Sequence, residues 1–174
     1  MKHWQKVISL TLTLLMLCLL MAGCEQPEQK TAYMAAIDNY YAAIVENDFA
    51  KMEKAMPAQA LDALGMNAAD LSGTNTRYAG RYGSDFTVKV KEKGGRQLNE
   101  KQSKDLATYL RGDYGISAAL KDAYLVEFTL TISGSEDKQT HTEGYVVYQL
   151  GDTWYMDLWA DANVPSIRSM YDET

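Results

Sequence analysis

The chain has 174 residues and a formal net charge of −6, from 17 basic against 23 acidic side chains. That balance excludes nucleic acid as a partner, because such binding draws its affinity from lysine and arginine neutralising phosphates. The length beyond the N-terminal segment suits one domain of ordinary size with its own core.

Lys2 and Lys6 precede an apolar run over 7–20, which is followed by Met21-Ala22-Gly23-Cys24. A basic start, an apolar stretch too short to span a bilayer comfortably and small residues at its end predict a secretory signal over 1–23. The ending resembles bacterial lipoprotein signals, with Met21 where most members have Leu. The resemblance implies that Cys24 is lipidated and becomes the mature N-terminus, anchored on the extracytoplasmic face of the cell membrane. Removing Lys2 and Lys6 makes the mature chain two charges more negative than the −6 of the whole. Such a charge argues against a second electrostatic hold on an anionic membrane. Cys18 leaves with the signal and Cys24 is capped, so no disulfide or thiol nucleophile is expected. His141 remains as the one mature histidine, which rules out a multi-histidine metal site within one chain. No glycine-rich phosphate loop or serine elbow occurs, and no cofactor is expected. Residues 24–30 form the lipidated cysteine and a short tether; its spacer 25–30 reaches only about 20 Å when extended. Residues 31–174 form a single domain.

Residues 31–47 predict the helix around which that domain is organised. Tyr33, Ile37, Tyr40, Tyr41 and Ile44 recur at steps of three and four on one stripe, with Ala35, Ala42 and Glu46 opposite. Such a helix needs an apolar surface to lie against, and the strands downstream supply one. Asn47-Asp48 breaks the helix, and Asp48 caps a second one carrying Phe49, Met52 and Met56 until Pro57 ends it. Residues 58–64 predict a further short helix closed by Gly65. From 68 to 84 the periodicity fades among Gly73, Gly80 and Gly83, so a loop or broken helix is expected. Within it Arg77-Tyr78 and Arg81-Tyr82 repeat four residues apart, offering guanidinium forks and flat rings to a ligand. The alternative is that these tyrosines pack on the domain and the arginines are solvated.

Phe86, Val88 and Val90 alternate with Thr87, Lys89 and Lys91, the pattern of a half-buried strand, expected to end at Gly94-Gly95. Asn99 and Gln102 signal the cap of a helix that carries Leu106, Tyr109 and Leu110 and stops near Gly112. Three strands follow at 123–133, 138–150 and 153–159, the last two joined by Gly151-Asp152. Val164, Ile167, Met170 and Tyr171 then predict a short docking helix.

With Gly151-Asp152 as the whole turn, Leu150 faces Thr153, and pairing continues through Tyr148–Tyr155 and Val146–Asp157 to Tyr145–Leu158. With 134–137 as the preceding loop, Tyr124, Val126, Phe128, Leu130 and Ile132 share a face with Tyr145, Val147, Trp154, Met156 and Leu158. Both turns agree on one apolar face. His141 falls on it beside Leu130, and Glu143 beside Phe128. Spaced by about 7 Å on one strand, they are too far apart for a tight hydrogen bond without bending, yet near enough to orient one ligand beside Phe128 and Tyr145. The alternative leaves both idle at a wet rim. The opposite face carries Leu125, Glu127, Tyr148, Tyr155, Asp157 and Trp159, with Trp159 over Gly144. Cover by the C-terminal tail is expected there, and Tyr148, Tyr155 and Trp159 are the candidates for docking another protein.

Helices, a strand, a helix and a three-stranded meander ending in Gly-Asp-Thr-Trp-Tyr: this order resembles the nuclear transport factor 2-like superfamily, also called cystatin-like, over residues 31–159. The segment Ile-Asp-Asn-Tyr-Tyr-Ala-Ala-Ile-Val-Glu-Asn-Asp-Phe-Ala-Lys-Met is similar to that superfamily's first helix, polar break and second helix. The resemblance implies an α+β fold with N-terminal helices packed on a curved antiparallel sheet. Its members include cavity isomerases and dehydratases as well as binding and assembly modules, so the fold by itself selects no activity. The isomerases' cavity tyrosine and carboxylates do not map onto this chain: Asp38 lies at the edge of the helix stripe and Asp157 on the other sheet face. No catalytic residue is assigned. The expectation is a membrane-anchored, non-catalytic domain that binds a small molecule; the alternatives are a protein-docking module of an envelope complex and a cavity enzyme of the isomerase or dehydratase type.

Overall fold

The computed structural model describes residues 31–171. The predicted signal, Cys24 and the spacer lie outside the described residues. The elements run α1 (Met34–Glu46), α2 (Phe49–Ala55), α3 (Ala58–Ala63), α4 (Ala68–Tyr82), β1 (Thr87–Gln97), α5 (Glu100–Tyr114), β2 (Leu120–Ser133), β3 (Lys138–Leu150), β4 (Thr153–Asp157), α6 (Ala160–Asn163) and α7 (Pro165–Arg168). The strands form one antiparallel open sheet in the order β1-β2-β3-β4, so the architecture is α+β. Among the described residues no helix is long and apolar enough to cross a membrane.

Strand alternation divides the sheet into two faces. The inner face carries Val126, Phe128, Leu130, Val147 and Met156, all buried, and α1 lies on it. Tyr33 packs between Tyr124 and Trp154, with ring centroids 5.0 and 6.0 Å away, and Tyr41 meets Phe128 at 6.1 Å. The α1 stripe is the predicted one except that Tyr40 is only half-buried, while Met34, Ala36 and Ala43 join the buried side. At one end of the outer face, Leu125, Val146 and Tyr148 are buried beneath α5 and the tail.

Asn99 and Gln102 close a reciprocal capping box on α5 as expected, and Asp48 accepts the Ala50 amide at the start of α2. Helix α5 runs past the expected stop at Gly112 to Gly115, where a left-handed φ of 69° ends it. The expected loop at 68–84 is instead the continuous helix α4, opened by a capping box between Asn67 and Asp70. Its inward side is Leu71, Asn75, Tyr78 and Tyr82, a helical spacing that a polar residue conceals. Asn75 Nδ2 donates to the Ile44 and Val45 carbonyls at 2.8 and 3.3 Å, satisfying the last turn of α1.

Strand β1 does not end at Gly94-Gly95. A bulge between Glu92 and Gly94 shifts the register and the strand continues to Gln97. A Cβ at Gly95 would stand 2.5 Å from the Tyr33 hydroxyl oxygen, so this glycine makes room for the ring above it. Hairpin pairing follows both predicted turns, from Ser133 opposite Lys138 and from Leu150 opposite Thr153. Strand β4 stops at Asp157, one pair before the expected Tyr145–Leu158, because the Asp157 carboxylate accepts the Trp159 amide at 2.7 Å and turns the chain. Trp159 therefore does not cover Gly144. Tyr171 does, its hydroxyl donating to the Gly144 carbonyl at 3.0 Å.

Candidate functional site

His141, Glu143 and Tyr145 are alternate residues of β3, opposite Leu130, Phe128 and Val126, and so share the inner face. Bending of the side chains closes the expected gap: His141 Nε2 and Glu143 Oε1 are 2.6 Å apart. The other carboxylate oxygen accepts two phenols, Tyr145 from the same strand and Tyr41 from α1, each at 2.7 Å. Three donors thus converge on one carboxylate at the edge of the core. The side chains of His141 and Glu143 stay 33% and 25% exposed, which makes the site a half-covered rim.

Burial alone would raise the Glu143 carboxyl, but the hydrogen bonds from Tyr41, Tyr145 and His141 overcome it and hold the group below the usual carboxylate range. The same proximity acts in reverse on the phenols. Burial, with Glu143 adding to it, raises Tyr41 and Tyr145 well above the ordinary tyrosine range. Burial together with Tyr78 and Glu143 pushes Tyr40 up to about 12. Burial and then Glu143 also raise Tyr78. The result is one fixed anion ringed by phenols that remain protonated at neutral pH. Nδ1 of His141 is shielded and has no protein hydrogen-bond partner.

Of the ligand-contact candidates, Phe128 is fully buried beneath Tyr41 and Tyr145, with centroid distances of 6.1 and 5.6 Å, and serves as the floor rather than a contact. The inner-face residues Val126, Leu130, Val147 and Met156 are buried as well, in the core on which α1 lies. The helix parts each arginine from its tyrosine, turning Tyr78 and Tyr82 inward with ring centroids 5.9 Å apart. Tyr82 is buried and donates to Gln139 Oε1 at 2.7 Å, while Arg81 stacks over Tyr82 and lies 3.7 Å from the Asp137 carboxylate. Both leave the candidate list. Arg77 is exposed and donates to Thr74 Oγ1, and Tyr78 is half-buried beside Tyr82 and Phe86.

The residues missed as site members are Tyr40 and Tyr41, assigned only to the helix stripe. A tyrosine in an apolar stripe carries a hydroxyl that must find a partner once buried. That requirement is the one signal available, and it does not say where the partner is.

The docking trio does not form a surface. Tyr148 is 0% exposed, its hydroxyl shielded without a protein partner, and Tyr155 is half-buried with its ring 6.2 Å from that of Tyr148. Trp159 alone is substantially exposed, at 50%. Nearby Asp157 is 1% exposed. Burial raises its carboxyl, only partly offset by the Trp159 and Ala160 amides and the Tyr114 hydroxyl. An acid whose folded value is raised contributes stability below its unfolded value, near pH 4, that is lost as pH rises through the folded value. Asp157→Asn keeps an oxygen for the Trp159 amide and removes the charge. It is expected to be more stable than wild type at pH 7.5 in urea melts, with the gap closing toward pH 4.5; a variant less stable at both values would show the carboxylate to be net favourable. Glu143, with its lowered value, acts in the opposite sense and loses its contribution as pH falls.

Among the described residues, no three His, Cys, Asp or Glu side chains gather as a metal site. Compared with protein-family models, with curated proteins and with solved structures, the chain finds no match.

Proposed function

We propose that this chain is a lipid-anchored extracytoplasmic protein whose single domain binds a small amine-bearing molecule at the Glu143 rim, without chemistry. The order of its elements, with α1 on the inner face of a four-stranded antiparallel sheet whose last three strands form a meander, supports a cystatin-like, nuclear transport factor 2-like fold. Met21-Ala22-Gly23-Cys24 supports the anchor.

The observation that carries the ligand reading is the partly exposed Glu143 carboxylate, already aligned by Tyr41, Tyr145 and His141, with the Tyr40 ring packed against that of Tyr41. A carboxylate only accepts hydrogen bonds, and ring faces attract cations, so an ammonium group satisfies both. Alignment before binding spares the ordering cost that a mobile side chain would impose.

In a thermal-shift screen of amines, amino acids and polyols, an amine is expected to raise Tm. Glu143→Gln should abolish the shift while leaving the unliganded protein folded, and His141→Ala with Glu143→Ala should do the same. A hit that survives the double substitution places the site elsewhere. A screen in which no amine raises Tm sinks the reading.

A further inference from the structure

The two edges of the sheet differ in what they leave open. Edge strand β1 carries Lys89, Lys91 and Lys93 and a bulge between Glu92 and Gly94, devices that keep a further strand away. Edge strand β4 is only five residues long, carries no lysine and pairs with β3 without a register shift. Its hairpin turn holds only Gly151 and Asp152, so Leu150 and Thr153 form a hydrogen-bonded pair and, by alternation, Gln149 and Trp154 a non-bonded one. The N–H and C=O of Trp154 therefore point away from β3, and among the described residues no other group bonds to either. That edge lines a cleft of about 480 Å³ between β4, α1 and α2. Asn39 of α1 also lines it, half-buried and with its carboxamide unbonded among the described residues. The Trp154 ring is held by Tyr33, edge-on at 6.0 Å, and by Tyr124 at 5.9 Å, yet the residue stays half-buried and its indole N–H is neither shielded nor bonded to a protein group. Charges around the cleft balance: Glu53 and Lys54 are neighbours, both exposed, and Asp152 accepts from Lys121 Nζ at 2.8 Å.

An edge residue that offers one N–H and one C=O side by side is the complement of a secondary amide, which returns one C=O and one N–H. A strand this short holds one such amide; it offers too few outward pairs to hold a peptide by a ladder. The indole supplies an apolar face for the C–H side of a sugar ring, and its N–H, the Asn39 carboxamide and the exposed Thr153 hydroxyl supply partners for sugar hydroxyls. Balanced charge at the mouth favours a neutral polar molecule over an ion. We propose that this cleft binds an N-acetylated amino sugar, its acetamido group pairing with the Trp154 main chain and its ring lying on the indole. The cleft shares no residue with the Glu143 rim, and the two sites select opposite chemistry. Acetylation removes the ammonium charge that the rim carboxylate would attract and creates the amide that the β4 edge reads.

The test is an amide-proton NMR titration of the isotope-labelled full-length protein in detergent, read at the Trp154 amide and indole N–H signals. Three probes are compared: chitobiose, the dimer of N-acetylglucosamine; cellobiose, which has a hydroxyl in place of each acetamido group; and N-acetylalanine methylamide, which has the amide without a sugar ring. Chitobiose is expected to shift both Trp154 signals saturably, at millimolar concentration. Cellobiose and the ring-free amide should bind roughly tenfold more weakly, each lacking one of the two contacts. Asn39→Ala, which puts a good helix former on the surface of α1, should keep the fold and weaken chitobiose roughly fivefold, the worth of one hydrogen bond. No saturable shift at Trp154 with chitobiose overturns the proposal. Equal affinity for cellobiose overturns it by showing that the acetamido group is not read, and equal affinity for the ring-free amide assigns the cleft to peptide segments instead. Unchanged affinity in Asn39→Ala, or shifts confined to His141, Glu143 and Tyr145, overturns the cleft as the site.

Discussion

Ile44→Asp is expected to abolish the folded state. Ile44 is 1% exposed in the last turns of α1, between the sheet and the α4 helix that bonds its carbonyl. The change removes a buried aliphatic side chain and leaves a carboxylate with no cation within the core. Together these cost several kcal/mol, a large part of the roughly 5 to 15 kcal/mol that holds a domain of this size. Loss of the cooperative thermal transition in circular dichroism is the expected readout. Ala35→Asp is the control, because Ala35 is exposed on the far side of the same helix, whereas Ala42 is half-buried and less suitable. A domain that tolerates both substitutions equally would mean that α1 does not carry the core.

Gly134→Ala is expected to be the costliest single-methyl change. Gly134 opens the β2–β3 hairpin against the C-terminal end of α4, where Glu136 donates its amide to the Tyr82 carbonyl and Asp85 accepts from Ser135. An added Cβ would stand 2.1 Å from the Tyr82 carbonyl oxygen and 2.9 Å from its carbon. Those atoms are backbone already committed to the hairpin, so relief requires the helix end and the turn to separate. Overpacking of this kind costs about 2 to 3 kcal/mol, or roughly 5 to 10 °C in Tm. Gly73→Ala gives the opposite sign: nothing lies within 4 Å of its added Cβ inside α4, and a helical glycine replaced by alanine gains up to about 1 kcal/mol. Equal Tm values for wild type and Gly134→Ala would show that the helix end and hairpin are not in contact.

Tyr41 shows why the site was only half legible. Its place in the α1 stripe follows from local spacing, but its bond to Glu143 joins residues 102 apart in sequence, a pairing that no local pattern encodes. His141 and Glu143 were placed on the correct face because side-chain direction in a strand has period two and the hairpin turns set its phase. Their contact needed the side-chain bending that the strand spacing required, and whether bending occurs answers to neighbours, here two phenols bonding the other oxygen of the carboxylate. Asn75 hid α4 in the same manner, interrupting the apolar stripe with a polar group whose partners are carbonyls of another helix.

The sequence by itself determined the α+β class, the helix stripe, the three-strand meander and its register, because these depend on periodicity, caps and turn residues within about twenty positions of one another. Tertiary structure alone decided which glycines end elements and which make room, as Gly95 does for Tyr33. It also decided that Tyr148 is core rather than surface, and that one carboxylate gathers three donors. Those outcomes depend on which remote surfaces meet, and burial and hydrogen-bond satisfaction are properties of the assembled pair.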